Sequence, residues 1–389
     1  MEITNDAPVP MRAMLAGARR KQASLLALTR QLVLAESPSD SKPHVDACMA
    51  LAAIHGRKLG GRVRLHHCAG HGNVLEVRFR ARSPKSGSHA HSILLLGHLD
   101  TVWPVGTLDT MPYRIRDDRM LGPGTLDMKA GVAMAFTAVE MMLESNLLQR
   151  EIVLLLNGDE EIGSPASRSI TEAIARTCDA VFVLEPAQGL AYKTARKGIG
   201  NWRIDVKGVA AHAGVDFSKG ANALLELARV IETVSSWTDL KRGLTVSAGV
   251  AAAGTKSNVI PAEAWAEIDV RIRRISDGKR IARKFAALKP SDKHCKLAVS
   301  GEINRPPMER SRGTVRLFRR AQALAAELGF TLNEASTGGG SDGNFTAALG
   351  IPTLDGMGAV GEGAHAVHES VLIPHLAPRT ALLAAMLAG

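Results

Sequence analysis

Three apolar runs in this chain each end on a metal-type ligand. SILLLG (92–97) leads into His98-Leu99-Asp100, EIVLLLNG (151–158) into Asp159-Glu160-Glu161, and AVFVL (180–184) into Glu185. An apolar run of four to eight residues bounded by turn residues reads as a buried strand. In an open α/β sheet, ligands bind beyond the carboxyl ends of the strands. Strands converging on one edge would bring a histidine and several carboxylates together. The pattern therefore predicts a metal site on an α/β scaffold.

At 389 residues the chain is long for one average domain, so two are expected. Residues 11–36 read as an amphipathic helix. Gly122-Pro123-Gly124 marks a turn before the helical stretch 128–144, which puts Asp127 at the mouth of that helix. From about 198 to 305 the rhythm changes to strand, helix, two strands, helix and strand, the order of the ferredoxin-like split unit. This predicts a main mixed-sheet domain in two parts, 1–197 and 309–389, with a βαββαβ domain inserted at 198–308.

Composition narrows the function classes. The net charge is +10, but the basic residues are spread out, and only two Tyr and four Trp are available for stacking. A nucleic-acid role needs a patterned basic face, so no such partner is expected; the charge suits solubility and acidic substrates. No apolar stretch approaches the roughly 18–20 residues of a membrane span, and the N-terminus does not resemble a signal peptide. The four cysteines show no CxxC spacing, which points to a reduced, cytoplasmic protein.

Each candidate ligand also has a plainer reading. Asp100, two residues beyond His98, is placed to orient its ring, though a structural His fits an HxD equally. Asp127 reads first as a helix N-cap and second as a carboxylate bridging two metals. Asp159-Glu160-Glu161 is either a solvated acidic loop or a ligand beside a general base, since like charges resist being brought together without cations. Glu185 ends a buried strand before Pro186. His365 and His368 compete within GEGAHAVHES (361–370), with a surface loop as the alternative for both. The cluster His66, His67, Cys68 and His71 reads as a solvated turn rather than a second metal site. Oxygen and imidazole donors without Cys suit Zn²⁺ or a similar ion.

Eight segments carry a family resemblance: LLLGHLDTV (94–102), GPGTLDMKAG (122–131), NGDEEIGS (157–164), LEP (184–186), GVAAHAG (208–214), GTKSNVIP (254–261), GGGSD (338–342) and GAHAVHE (363–369). In order and along nearly the whole chain, they resemble the co-catalytic zinc peptidase family of glutamate carboxypeptidase, succinyl-diaminopimelate desuccinylase, acetylornithine deacetylase and aminoacylase. The glutamate carboxypeptidases are the most similar branch.

The resemblance implies two Zn²⁺ per chain, with Co²⁺ or Mn²⁺ as substitutes. His98, Asp127 and Glu185 would hold one ion, and Asp127, Glu161 and His365 the other, the spacing to Glu369 selecting His365 over His368. It implies Asp100 as the orienting acid, Glu160 as general base, and His212 as the oxyanion donor, which in dimeric relatives reaches the partner subunit's site. Asn258, Arg305, Gly339 and Gly340 would contact substrate. It makes 198–308 a lid and dimerisation domain in a homodimer. The implied reaction is hydrolysis of an amide next to a free carboxylate in a peptide or N-acyl amino acid. Release of a C-terminal amino acid ranks first and N-acyl-amino-acid deacylation second. Aminopeptidases and dipeptidases, which more often carry Asp at the position of Glu185, rank third. A non-catalytic metal-binding scaffold is the rival outside enzymes, and the intact Glu160 argues against it.

Overall fold

The computed structural model describes residues 11–81 and 92–388. The expectation for the extreme N-terminus lies outside them. The chain divides into two compact units, one from Met1–Ala195, Arg310–Ser336 and Ser341–Gly389, the other from Arg196–Glu309 and Thr337–Gly340.

The first unit is built on a six-stranded mixed sheet in the order 62–66, 74–79, 152–157, 92–98, 178–183, 353–354. The strands Ser92–His98, Ile152–Asn157 and Cys178–Val183 lie side by side and parallel. All seven residues of Ser92–His98 are buried. Successive side chains of that strand feed two different cores. Ile93 and Leu95 join the large cluster under Met11–Leu34, Ala130–Glu144 and Leu376–Leu387, while Leu94 and Leu96 join a smaller one with Val153, Ile174 and Val181. A strand covered on both faces reads as an uninterrupted apolar run, and each buried Leu contributes about 1.5–3 kcal/mol. The three apolar runs are therefore central parallel strands, and their carboxyl ends share one edge.

Two glycines let the ligand-bearing segments close up. A Cβ on Gly131 would lie 2.2 Å from the Leu184 carbonyl oxygen, and one on Gly97 would lie 3.1 Å from the Met128 methyl. The helix that follows Asp127 thus packs directly on the chain that ends at Glu185.

The second unit is a four-stranded antiparallel sheet in the order 245–253, 263–272, 198–207, 296–305, with helices Ala223–Ser235 and Ile275–Ala286. Its strands alternate because only one face is covered. Trp202, Ile204 and Val206 meet Leu227, Val230, Ile281 and Phe285 in one core, and Trp202 stacks on Phe285 at 4.4 Å. The opposite face carries Arg203 and Asp205, paired at 3.1 Å, with the Arg203 guanidinium 4.3 Å over the Trp265 ring.

Among the described residues no helix is long and apolar enough to cross a membrane. The four cysteines are buried and unbridged.

Candidate metal centre

The sheet register sets the first contacts. His98 ends its strand opposite Asn157, and the Leu99 N–H donates to the Asn157 carbonyl at 3.0 Å. The His98 Nδ1 lies 3.0 Å from the Asp100 backbone carbonyl and 3.4 Å from its carboxylate Oδ1. The main-chain carbonyl of Asp100 is thus the nearer partner, with the carboxylate expected from the HxD spacing close behind it. With its proton on Nδ1, the ring presents Nε2 as a ligand atom.

The fully buried Asp100 carboxylate has other partners. It accepts the backbone N–H of Glu160 at 3.2 Å and of Glu161 at 3.1 Å, and the Ser39 hydroxyl at 2.7 Å. It therefore fixes the segment that carries both glutamates. Asp159 turns away from them and accepts the N–H groups of Ala166 and Ser167, at 2.7 and 3.1 Å. The acidic run is neither a solvated loop nor three equivalent ligands.

Asp127 is not a helix N-cap. The helix begins at Ala130 with Lys129 as its cap, and Asp127 stands in the preceding turn at φ −113°, ψ 91°, with a cis peptide to Met128. Its carboxylate lies between two imidazoles: Oδ1 is 3.2 Å from the His98 Nε2, and Oδ2 is 3.3 Å from the His365 Nε2. Glu185 sits on the His98 side, 3.6 Å from Nε2. Glu161 sits on the His365 side, 3.1 Å from Nε2. Glu160 groups with His98 and Glu185, their ligand atoms within 4.8 Å of one another.

Burial pushes Glu161 up, against the pull of His365. Burial also opposes ionisation of Asp127, but its hydrogen bonds with His365 and His98 outweigh it and hold the carboxyl low. Burial would lower His98, yet Asp100 and Asp127 keep it well above the usual imidazole range. His365 is pushed up to about 10 by its hydrogen bonds to Asp127 and Glu161. Several carboxylates therefore converge on a partly buried space and raise the affinity of both rings for positive charge. Divalent cations meet the same demand, and the donor set of two imidazoles and carboxylate oxygens fits Zn²⁺ or a related ion. Among the described residues, the groupings of three or more such side chains that could hold an ion all include His98. His66 is engaged elsewhere, with Glu76 at 2.7 Å.

The remaining candidates lie in the second unit. His212 and Asn258 are exposed. Adjoining main-chain bonds tie their loops together: Ala213 N–H to the Asn258 carbonyl at 3.0 Å, and Ile260 N–H to the Ala211 carbonyl at 2.9 Å. The His212 Nδ1 accepts the Gly214 N–H at 3.1 Å, which leaves the proton of the neutral ring on Nε2.

Arg305 is buried at 4% exposure, so it is not a surface arginine. A Cβ on Gly340 would lie 2.9 Å from the Arg305 Cδ, while Gly339 is open. Gly339 and Gly340 group with Arg305 in this unit. Their carbonyls accept the Arg196 guanidinium at 3.3 and 3.0 Å. Neither Arg196 nor Ser39 is marked by any local sequence signal, because each acts on a segment far away along the chain.

The pattern of peptidase family M20/M25/M40 matches residues 94–389. The chain is 31% identical over 309 residues to carboxypeptidase G2 of Pseudomonas sp. (strain RS-16), covering 77% of this chain and 74% of that protein. It is 28% identical over 300 residues to the succinyl-diaminopimelate desuccinylase of Zymomonas mobilis, covering 71% and 76%. Among solved structures, the aminopeptidase PepT of Bacillus cereus superposes with a TM-score of 0.78 at 22% identity, over 94% of this chain and 98% of that one. The metallo-carboxypeptidase Sso-CP2 of Sulfolobus solfataricus gives 0.72 at 18% identity, over 94% and 98%. At these identities the structural likeness concerns the fold.

Proposed function

As the chain belongs to peptidase family M20/M25/M40 and is a metal-dependent amide hydrolase, we propose that it releases a C-terminal amino acid from an N-acylated or peptidic substrate. The observation that carries this reading is the Asp127 carboxylate in contact with both His98 and His365, with Glu185 against His98 and Glu161 against His365. In this reading two zinc ions would bind, one held by His98, Asp127 and Glu185, the other by Asp127, Glu161 and His365. Bound there, the ions would polarise the scissile carbonyl and acidify a shared water.

The chain supplies the rest. Glu160, its backbone fixed by Asp100, takes the proton of the attacking water and delivers it to the leaving amine. His212 donates from Nε2 to the developing oxyanion, a contact of the kind worth about 10²–10³ in rate. Arg305 receives the free carboxylate through its planar fork, Asn258 contacts the substrate carbonyl or carboxylate, and Gly339 and Gly340 admit the substrate backbone closely. The inserted segment, residues 198–308, serves as lid and dimerisation domain of a homodimer, with His212 reaching the partner's site. The four unbridged cysteines support a cytoplasmic location.

Deacylation of N-acyl amino acids is the second reading, supported by the likeness to desuccinylases. A screen of zinc-loaded protein on N-acyl-glutamates, N-acetyl and N-succinyl amino acids, and dipeptides tests the proposal. The expected result is a dependence of kcat/KM on the free carboxylate of the released residue. Equal cleavage of the corresponding carboxamides overturns it.

A further inference from the structure

Glu369 is completely buried, four residues beyond His365. Its carboxylate accepts four N–H groups: Leu126 at 2.8 Å and Asp127 at 3.1 Å on Oε1, Gly124 at 3.0 Å and the Trp103 indole at 2.9 Å on Oε2. Three of these donors come from the turn that ends at Asp127, where Gly122 and Gly124 hold φ of +145° and +69°. Successive N–H groups facing one way form a nest for an anion, and here the anion arrives from more than 240 residues along the chain.

The other end of Glu369 is tied to His365. The Glu369 N–H donates to the Ala366 carbonyl, and the Ala366 N–H to the Gly363 carbonyl, both at 2.8 Å. This closes a tight loop in which Gly363 and His365 both hold positive φ, +80° and +62°. A Cβ on Gly363 would lie 3.0 Å from the Glu369 nitrogen. The next residue, Ser370, pairs in register with Leu121 just before the Asp127 turn. One side chain and its flanking backbone thus join the segments that carry Asp127 and His365.

We propose that Glu369 is the positioning residue of the metal centre: it sets the Asp127 carboxylate at its distance from the His365 ring. Glu369 does not touch the ions or the substrate, and it acts through the backbone N–H of Asp127. The inference rests on Asp127 being the shared ligand. A carboxylate is required, because a glutamine has one acceptor oxygen for four donors and would turn its NH₂ toward the other N–H groups.

The test compares Glu369→Gln and Trp103→Phe with the wild-type chain, each loaded with Co²⁺ or Zn²⁺. Buttressing partners of metal ligands typically contribute about 10–100-fold to metal affinity or activity. For Glu369→Gln we expect a fall of that size in kcat and in affinity for the second ion, a changed visible cobalt spectrum, and KM within about threefold of wild type. Should that variant fail to fold, Trp103→Phe decides, since it removes one of the four donors. It should shift the cobalt band and lower kcat a few-fold at an unchanged melting temperature. A folded Glu369→Gln with wild-type spectrum and affinities for both ions overturns the inference, as does an unchanged Trp103→Phe where Glu369→Gln is unfolded. If the wild type itself binds no second ion, the two-ion reading and this inference fall together. If it binds two and the variants match it, only this inference falls.

Discussion

The carboxylate–imidazole cluster of the first unit and the His212–Asn258 loops of the second are held in different ways. In the first, the candidate ligands are fixed by buried side chains as well as by the sheet. Asp100 holds Glu160 and Glu161 by their N–H groups, and Glu369 holds Asp127. In the second, main-chain bonds set the loops, while His212 and Asn258 remain exposed beside Val215 and Phe217, which are 77% and 70% exposed. Groups that gather like charges must be pinned before any ligand arrives, because their repulsion would otherwise spread them. Groups that meet a substrate need only a fixed backbone and an open side. The two cores show the same contrast, one sheet covered on both faces and the other on one.

The largest expected effect falls on the pinned region. Glu160→Ala should lower kcat by about 10²–10⁴ or more while zinc content stays at the wild-type level. Assays paired with metal analysis decide it, and an active variant removes Glu160 from the chemistry. His212→Ala, in the exposed region, should lower kcat by about 10²–10³ without loss of metal. Mixing it with Glu160→Ala chains should restore part of the activity if His212 acts across a dimer; no recovery at any mixing ratio rejects that arrangement. Arg305→Lys keeps the charge but loses the planar fork, so KM for carboxylate-bearing substrates should rise about tenfold at similar kcat. An unchanged KM discards that contact. Smallest is the packing test: Gly131→Ala puts a methyl against the Leu184 carbonyl. Overpacking of this kind costs about 1–3 kcal/mol, to be read from denaturant midpoints, and full stability would mean that the helix can shift freely.

Much of the fold was legible because burial leaves a periodic trace. The uninterrupted runs at 92–97, 151–158 and 180–184 are two-face-buried parallel strands, and the alternating strands of 198–305 are covered on one face. Asp127 was harder to read. The apolar helical pattern runs back to Met128, yet the helix starts at Ala130, and nothing in the spacing tells an N-cap from a turn residue. The carboxylates of Asp100 and Glu369 take N–H groups about 60 and 242 residues away. Backbone N–H donors leave no mark on residue type, so both roles were invisible in the chain. For the same reason sequence spacing proposed the Asp100 side chain for His98, where its carbonyl is nearer.

In the proposed centre, Asp127 serves two ions with separate outer ligands. Zinc content per folded chain after equilibrium dialysis, measured for the wild type, His365→Ala and Glu185→Ala, tests it most directly. Two ions are expected in the wild type and about one in each variant. A single ion in the wild type, or loss of all metal in both variants together, would contradict it.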